Sequence, residues 1–301
     1  MTFARGPRRA ATGGIVAALV ALLLVSSGGS AAAQTPPATA GGPPIAELQA
    51  ELQRLIDTYR GGGEYAVAVT DLQTGETVSV YGDRPHLAAC SVNLFVLLQT
   101  MVDLQAGRVR EEQVGRLMAQ TIYASNPVTA RSLYVLLGNG DVLRGLRRVT
   151  ALMDRMGMED TVLNHPPGFG RDSLGIDRNN WITALDMNRG LQAIWDGPIL
   201  RERWRDDFLE RLTLVKPGLN YLTATVPATV SHKNGFFPAT DGTFVDNDAA
   251  IVRFTSDGRE YAYAISFFSQ WVPKKYADIP LGQSLVRTTW LFFQARYGEA
   301  D

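Results

Sequence analysis

Apolar residues recur at three- and four-residue spacing through Ile45, Leu48, Leu52, Leu55, Ile56 and Tyr59. That spacing puts them on one face of a helix, which Gly61-Gly62-Gly63 ends. The period then drops to two. Tyr65, Val67 and Val69 share one side, and Val78 and Val80 resume the pattern after Gln73-Thr74-Gly75, which predicts a β-hairpin. From about residue 90 to 204 the pattern is mostly helical, with breaks at Gly107, Gly138-Asn139-Gly140 and Gly157. Pro166-Pro167-Gly168-Phe169-Gly170 predicts an irregular loop, because its prolines and glycines interrupt helix and ladder alike. Strands are predicted at 228–233, 248–254 and 261–268, the last two joined by a tight turn at Asp257-Gly258. A final helix carries Leu281, Leu285, Trp290, Phe293 and Tyr297.

This order predicts an α+β fold of the α/β kind. One five-stranded antiparallel sheet is flanked by the N- and C-terminal helices, and an all-α lobe is inserted. Residues 45–86 and 226–301 make the sheet lobe and 87–225 the helical one. A cleft between lobes is the expected place for a ligand.

The N-terminus does not fit a folded domain. Arg5, Arg8 and Arg9 precede an apolar run from Ile15 to Val25, and small residues lead to Ala31-Ala32-Ala33. This is the pattern of a secretory signal peptide over residues 1–33, with an apolar run too short for a stable span. Arg8-Arg9 leaves twin-arginine export open. A flexible linker is predicted over 34–44. Without residues 1–33, 26 basic and 30 acidic residues remain, a net charge of −4. That balance predicts no nucleic-acid face. Cys90 is the single cysteine, so no internal disulfide can form. No His, Cys or carboxylate cluster has zinc spacing, and neither metal nor cofactor is expected.

Five segments carry chemistry. They are Ala88-Ala89-Cys90-Ser91-Val92-Asn93 entering a helix, Ala124-Ser125-Asn126, Trp181-Ile182-Thr183-Ala184, Ser231-His232-Lys233-Asn234-Gly235, and Asp248-Ala249-Ala250-Ile251-Val252. In this order and spacing they resemble the class A β-lactamases and penicillin-recognising serine hydrolases over nearly all of the chain after residue 44. The resemblance implies a serine nucleophile at the helix start and a lysine one turn later. It also implies a serine-asparagine motif, a lysine-glycine strand and a deacylating glutamate.

Most of those chemical groups are replaced. Cys90 takes the nucleophile position and Asn93 the lysine position. Ala124 stands for the motif serine, with Asn126 retained, and Asn234 stands for a threonine between Lys233 and Gly235. The glutamate would fall near Pro167, and no Glu occurs between Glu159 and Glu202. Ser91 is an alternative nucleophile, but Leu94 lies three residues beyond it. By the resemblance, the backbone N–H groups of Cys90 and Phe236 would form an oxyanion hole. Lys233 would supply positive charge, and Asn126 and Asn234 amide hydrogen bonds.

Cys90 has two readings. As a small buried residue it is inert. As a thiolate favoured by a helix start and Lys233 it is a nucleophile. His165, in the irregular loop, is an alternative base. His86 is a weaker one, and strand alternation turns His232 away from the site. Trp181, Trp195 and Trp204 are assigned to the core and Trp271 to an exposed edge. Three functions stay open. The first is a secreted, monomeric pseudoenzyme binding a peptidoglycan-like or acyl-peptide ligand. The second is an acyl hydrolase or acyltransferase working through a Cys90 thioester. The third is a weak β-lactamase.

Overall fold

In the computed structural model, residues 42–168, 175–176 and 178–298 are described. The expected signal peptide, most of the linker, and Phe169 and Gly170 lie outside them.

The amphipathic start forms α1 (Ile45–Thr58), which buries Ile45, Leu48, Leu52 and Ile56. The hairpin is β1 (Glu64–Asp71) and β2 (Thr77–Val80), in register from Val67 opposite Val80 to Thr70 opposite Thr77. The late strands are β5 (Thr229–Pro238), β6 (Phe244–Ser256) and β7 (Arg259–Gln270), followed by α8 (Ile279–Tyr297). All pair antiparallel in the order β2-β1-β7-β6-β5. The first and last segments of the fold thus meet in mid-sheet, where Ala68 lies opposite Ser266.

Side-chain alternation gives the sheet two buried faces. Val67, Val69, Tyr263, Ile265 and Phe267 face α1 and α8 with Leu48, Leu52, Leu285 and Phe293. Ala66, Ala68, Ala262, Ala264 and Phe268 belong to the other core, with the helices of the middle block. Small residues on that face let helices approach closely. At the far end of β1, the buried carboxylate of Asp71 accepts from Arg296 Nε at 2.9 Å and from the Tyr297 hydroxyl at 2.5 Å.

The middle block contains α2 (Asn93–Gln105), α3 (Glu111–Tyr123), α4 (Pro127–Leu137), α5 (Val142–Arg155), α6 (Ala184–Asp196) and α7 (Glu202–Arg211). Side-chain caps start several of them: Asn126 for α4, Asp141 for α5 and Thr183 for α6. One feature departs from the helical expectation. His86–Leu87 and Trp181–Ile182 form a small antiparallel pair, β3 and β4, with His86 opposite Ile182. This pair ties the entry to α2 to the end of the irregular loop. Among the described residues, no helix is long and apolar enough to cross a membrane.

Candidate active site

A cleft of about 450 Å³ opens between the entry to α2, the irregular loop and the end of β5. Cys90, His165, Trp181, Phe236 and Trp271 are among the residues lining it. A larger depression of about 780 Å³ lies elsewhere, near Glu210 and Trp290, and has no Cys, His or Lys in its wall.

Cys90 is half-buried on the cleft wall. Residues 90–92 form a tight turn leading into α2, in which Asn93 N donates to Cys90 O at 3.1 Å. The residue before the thiol, Ala89, has φ +47°. A non-glycine residue in that region carries backbone strain of about 1–3 kcal/mol, which surrounding contacts must hold in place. β5 supplies those contacts. A Cβ at Gly235 would lie 2.5 Å from both Cys90 N and Ser91 N, so only glycine permits this approach. Cys90 and Phe236, the two residues expected to donate backbone N–H groups, therefore both line the cleft.

Ser91 turns the other way. It is fully buried, and its Oγ donates to Ala88 O at 2.6 Å. Its hydroxyl is engaged in the turn and has no place on the cleft wall.

Lys233 is completely buried, with Nζ donating to Ser125 Oγ and to Asn234 O, both at 2.6 Å. Burial pushes its ammonium down to about 8, while the negative charge of a Cys90 thiolate and of Asp248 acts in the opposite direction. Lys233 thus lies inside the protein, with its charge coupled to that of Cys90, and does not line the open cleft.

The expected serine-asparagine motif is shifted by one residue. Ala124 ends α3 as its C-cap, and the hydroxyl that meets Lys233 belongs to Ser125, held at φ +50°. Asn126 caps the next helix. Its Oδ1 accepts from Val128 N at 2.9 Å and Thr129 N at 3.4 Å, capping α4 ahead of Pro127. The Asn-Pro pair in the sequence carried this signal, since Asn at a cap followed by Pro at the first helical position is a common helix start.

Asn234 also differs from expectation. It alternates with Lys233 along β5, is 3% exposed, and is not among the residues lining the cleft. Asn93 is fully buried one turn beyond Cys90, and neither of its amide atoms has a hydrogen-bond partner.

His165 does reach the cleft wall. Asn180 holds its loop: Oδ1 accepts from Asn164 N at 2.7 Å and His165 N at 3.1 Å, and Nδ2 donates to His165 O at 2.8 Å. The His165 ring donates from Nδ1 to Pro166 O at 3.1 Å, because a carbonyl can only accept. His232 lies behind the sheet between Asp248, 2.9 Å from Nδ1, and Asn220, 3.0 Å from Nε2. His86 is buried outside the cleft, and burial holds its imidazole below the ordinary range. Trp195 and Trp204 pack partly buried on the helical core, whereas Trp181 lines the cleft beside the exposed Trp271. Among the described residues, no His, Cys, Asp or Glu cluster could hold a metal ion.

The family described as β-lactamase enzyme family matches residues 47–279. The chain belongs to that family. Solved structures agree on the fold. A β-lactamase from Chitinophaga pinensis superposes with a TM-score of 0.68 at 18% identity, covering 81% of this chain and 98% of its own. A representative class A β-lactamase from Bacteroides cellulosilyticus gives 0.68 at 19%, covering 82% and 97%. The structure of PBP-A gives 0.66 at 20%, covering 84% and 99%. No curated protein matches the sequence. At these identities the family likeness establishes the architecture, and the chemistry rests on this chain's own residues.

Proposed function

We propose that this domain takes a peptidoglycan-like or acyl-peptide ligand into the cleft beside Cys90, outside the cytoplasm, with β-lactam hydrolysis impaired or absent. The observation that carries the reading is Asn93. A neutral amide, fully buried, stands one turn beyond the nucleophile position, where the family resemblance implies a base lysine. An amide cannot take a proton at neutral pH, so a hydroxyl or thiol beside it receives no general-base help from that position. The Glu-free interval from 160 to 201 removes the other expected base. The arginine-led apolar segment before residue 33 supports export. Incubating the mature domain with a penicillin tests this, reading β-lactam absorbance for turnover and intact mass for adducts. No steady turnover is expected, together with a rise in melting temperature on adding peptidoglycan fragments. Steady hydrolysis abolished by Cys90→Ala would refute it.

A second reading is favoured by the placement of the thiol. Cys90 lies half-buried on the cleft wall, with the charge of the buried Lys233 acting on it, which suits a sulfur that takes an acyl group as a thioester better than one filling a core gap. Alkylation by iodoacetamide discriminates the two. Rapid modification of Cys90 in the folded protein supports the thioester, and protection until unfolding supports the inert thiol.

A further inference from the structure

Trp271 is unfavourable for the fold in two respects. Its backbone sits at φ +53°, a region that bulky side chains rarely adopt. It is also 44% exposed, so a large apolar ring meets water. Its chain neighbours hold it there. Gln270 Oε1 accepts from Leu87 N at 3.1 Å, and Gln270 Nε2 donates to Glu64 Oε2 at 3.2 Å. On the other side, Val272 and Phe244 exchange backbone bonds of 3.2 and 2.9 Å. Leu87 in turn lies opposite Trp181 in the β3–β4 pair. The Gln270–Leu87 bond thus links the two chain segments that carry Trp271 and Trp181, and both tryptophans line the cleft of about 450 Å³. Strain held in place by surrounding bonds, at a residue that lines a cleft, points to function.

The same cleft is lined by Asn179, Thr240 and Asp241. Asp241 Oδ1 accepts from Thr243 N at 2.9 Å and from Thr243 Oγ at 2.6 Å. Those bonds hold its carboxyl below the usual carboxylate range, so it stays ionised and acceptor-only at neutral pH. The Asn179 amide and the Thr240 hydroxyl each bring a donor and an acceptor. Clefts of about 300–1,000 Å³ with apolar walls and a few placed polar groups are ordinary ligand sites. An acyl chain would cover the indoles but would bring the amide and carboxylate no hydrogen bond. A pyranose ring suits both kinds of group. Its C–H faces carry slight positive charge, which the negative face of an indole attracts. Its edge carries hydroxyls, which bond to carboxylates, amides and other hydroxyls.

We propose that Trp181 and Trp271 are sugar-binding residues, and that the cleft takes a pyranose ring with Asn179, Thr240 and Asp241 bonding its hydroxyls. This rests on the reading of the cleft as the ligand site and narrows it. The part of a peptidoglycan-like ligand that the tryptophans recognise is its sugar and not its peptide.

Calorimetric titration of the mature domain tests this with two separate probes. One is the disaccharide N-acetylglucosaminyl-N-acetylmuramic acid without peptide, and the other an N-acylated tripeptide without sugar. The disaccharide is expected to bind, and Trp271→Ala to weaken it by about tenfold or more. Trp271→Gly should lose as much affinity while its melting temperature stays level or rises, because glycine accepts the positive φ without strain. A merely structural tryptophan would instead lower the melting temperature of both variants. Disaccharide affinity unchanged in both variants would overturn the assignment. Binding of the tripeptide alone would overturn the sugar inference and leave the cleft as the ligand site. Binding of neither probe would remove both readings.

Discussion

Lys233 Nζ and Ser125 Oγ lie 2.6 Å apart, and this contact joins the sheet to the helical block. Ser125→Ala would leave the buried ammonium with the Asn234 carbonyl as its remaining bonded oxygen. Hydrogen bonds to buried charged groups contribute about 2 kcal/mol, so urea unfolding should show a loss of that size. Ala124→Ser, one residue earlier, should restore nothing in that background. A Ser125→Ala protein as stable as the parent would show that the contact contributes nothing.

Asn126 makes a separate prediction. As the cap of α4, its loss to alanine should cost about 1 kcal/mol, while Asn126→Asp should hold most of that stability. Binding of peptidoglycan fragments should be the same in both variants. A large affinity loss with unchanged stability would return Asn126 to the ligand.

The fold was legible where periods were long. The α1 stripe from Ile45 to Ile56 and the alternation of β1 each spanned several repeats, and both elements follow them. The pair His86–Leu87 and Trp181–Ile182 could not be read, since two residues contain no period and depend on a partner about 95 positions away. At the site, Leu94 three residues beyond Ser91 favoured Cys90 for the nucleophile position, and the cleft wall holds Cys90 and not Ser91. Counting alone failed at Ala124-Ser125-Asn126, because three small polar-compatible residues fit two registers. Local backbone chemistry decides between them: Pro127 makes Asn126 the cap, which brings Ser125 to Lys233.

Gly235→Ala tests the close approach of β5 to the thiol. Its Cβ would press on two backbone nitrogens that cannot move without dragging α2. Overpacking of this kind costs about 1–3 kcal/mol. The melting temperature should fall, and the iodoacetamide rate of Cys90 should change with it. An unchanged alkylation rate would mean that β5 does not hold the thiol.

The pair Asp246 and Asp278 predicts a pH dependence of stability. Both are buried, each has one carboxylate oxygen without a partner, and Ser269 contacts both residues. Burial and then the charge of Asp278 push Asp246 up to about 8, and burial raises Asp278 too. Between its ordinary range near pH 4 and about pH 8, the folded Asp246 holds a proton that the unfolded chain has released. Stability is therefore full below that window and falls as pH rises through it. Melting temperature should drop between pH 5 and pH 8, and Asp246→Asn should flatten the drop. A parent protein whose melting point climbs over that interval would contradict the shift.

The clasp of Asp71 by Arg296 and Tyr297 bears on how the molecule comes into being. The strand ending at Asp71 is made nearly two hundred residues before its mid-sheet neighbour and more than two hundred before its clasp. Until the final helical turn leaves the ribosome, that strand lacks its neighbour on one edge and its carboxylate lacks a cation. Closure therefore waits for that helix, and the sheet is completed by contacts across more than two hundred positions, which favours slow folding.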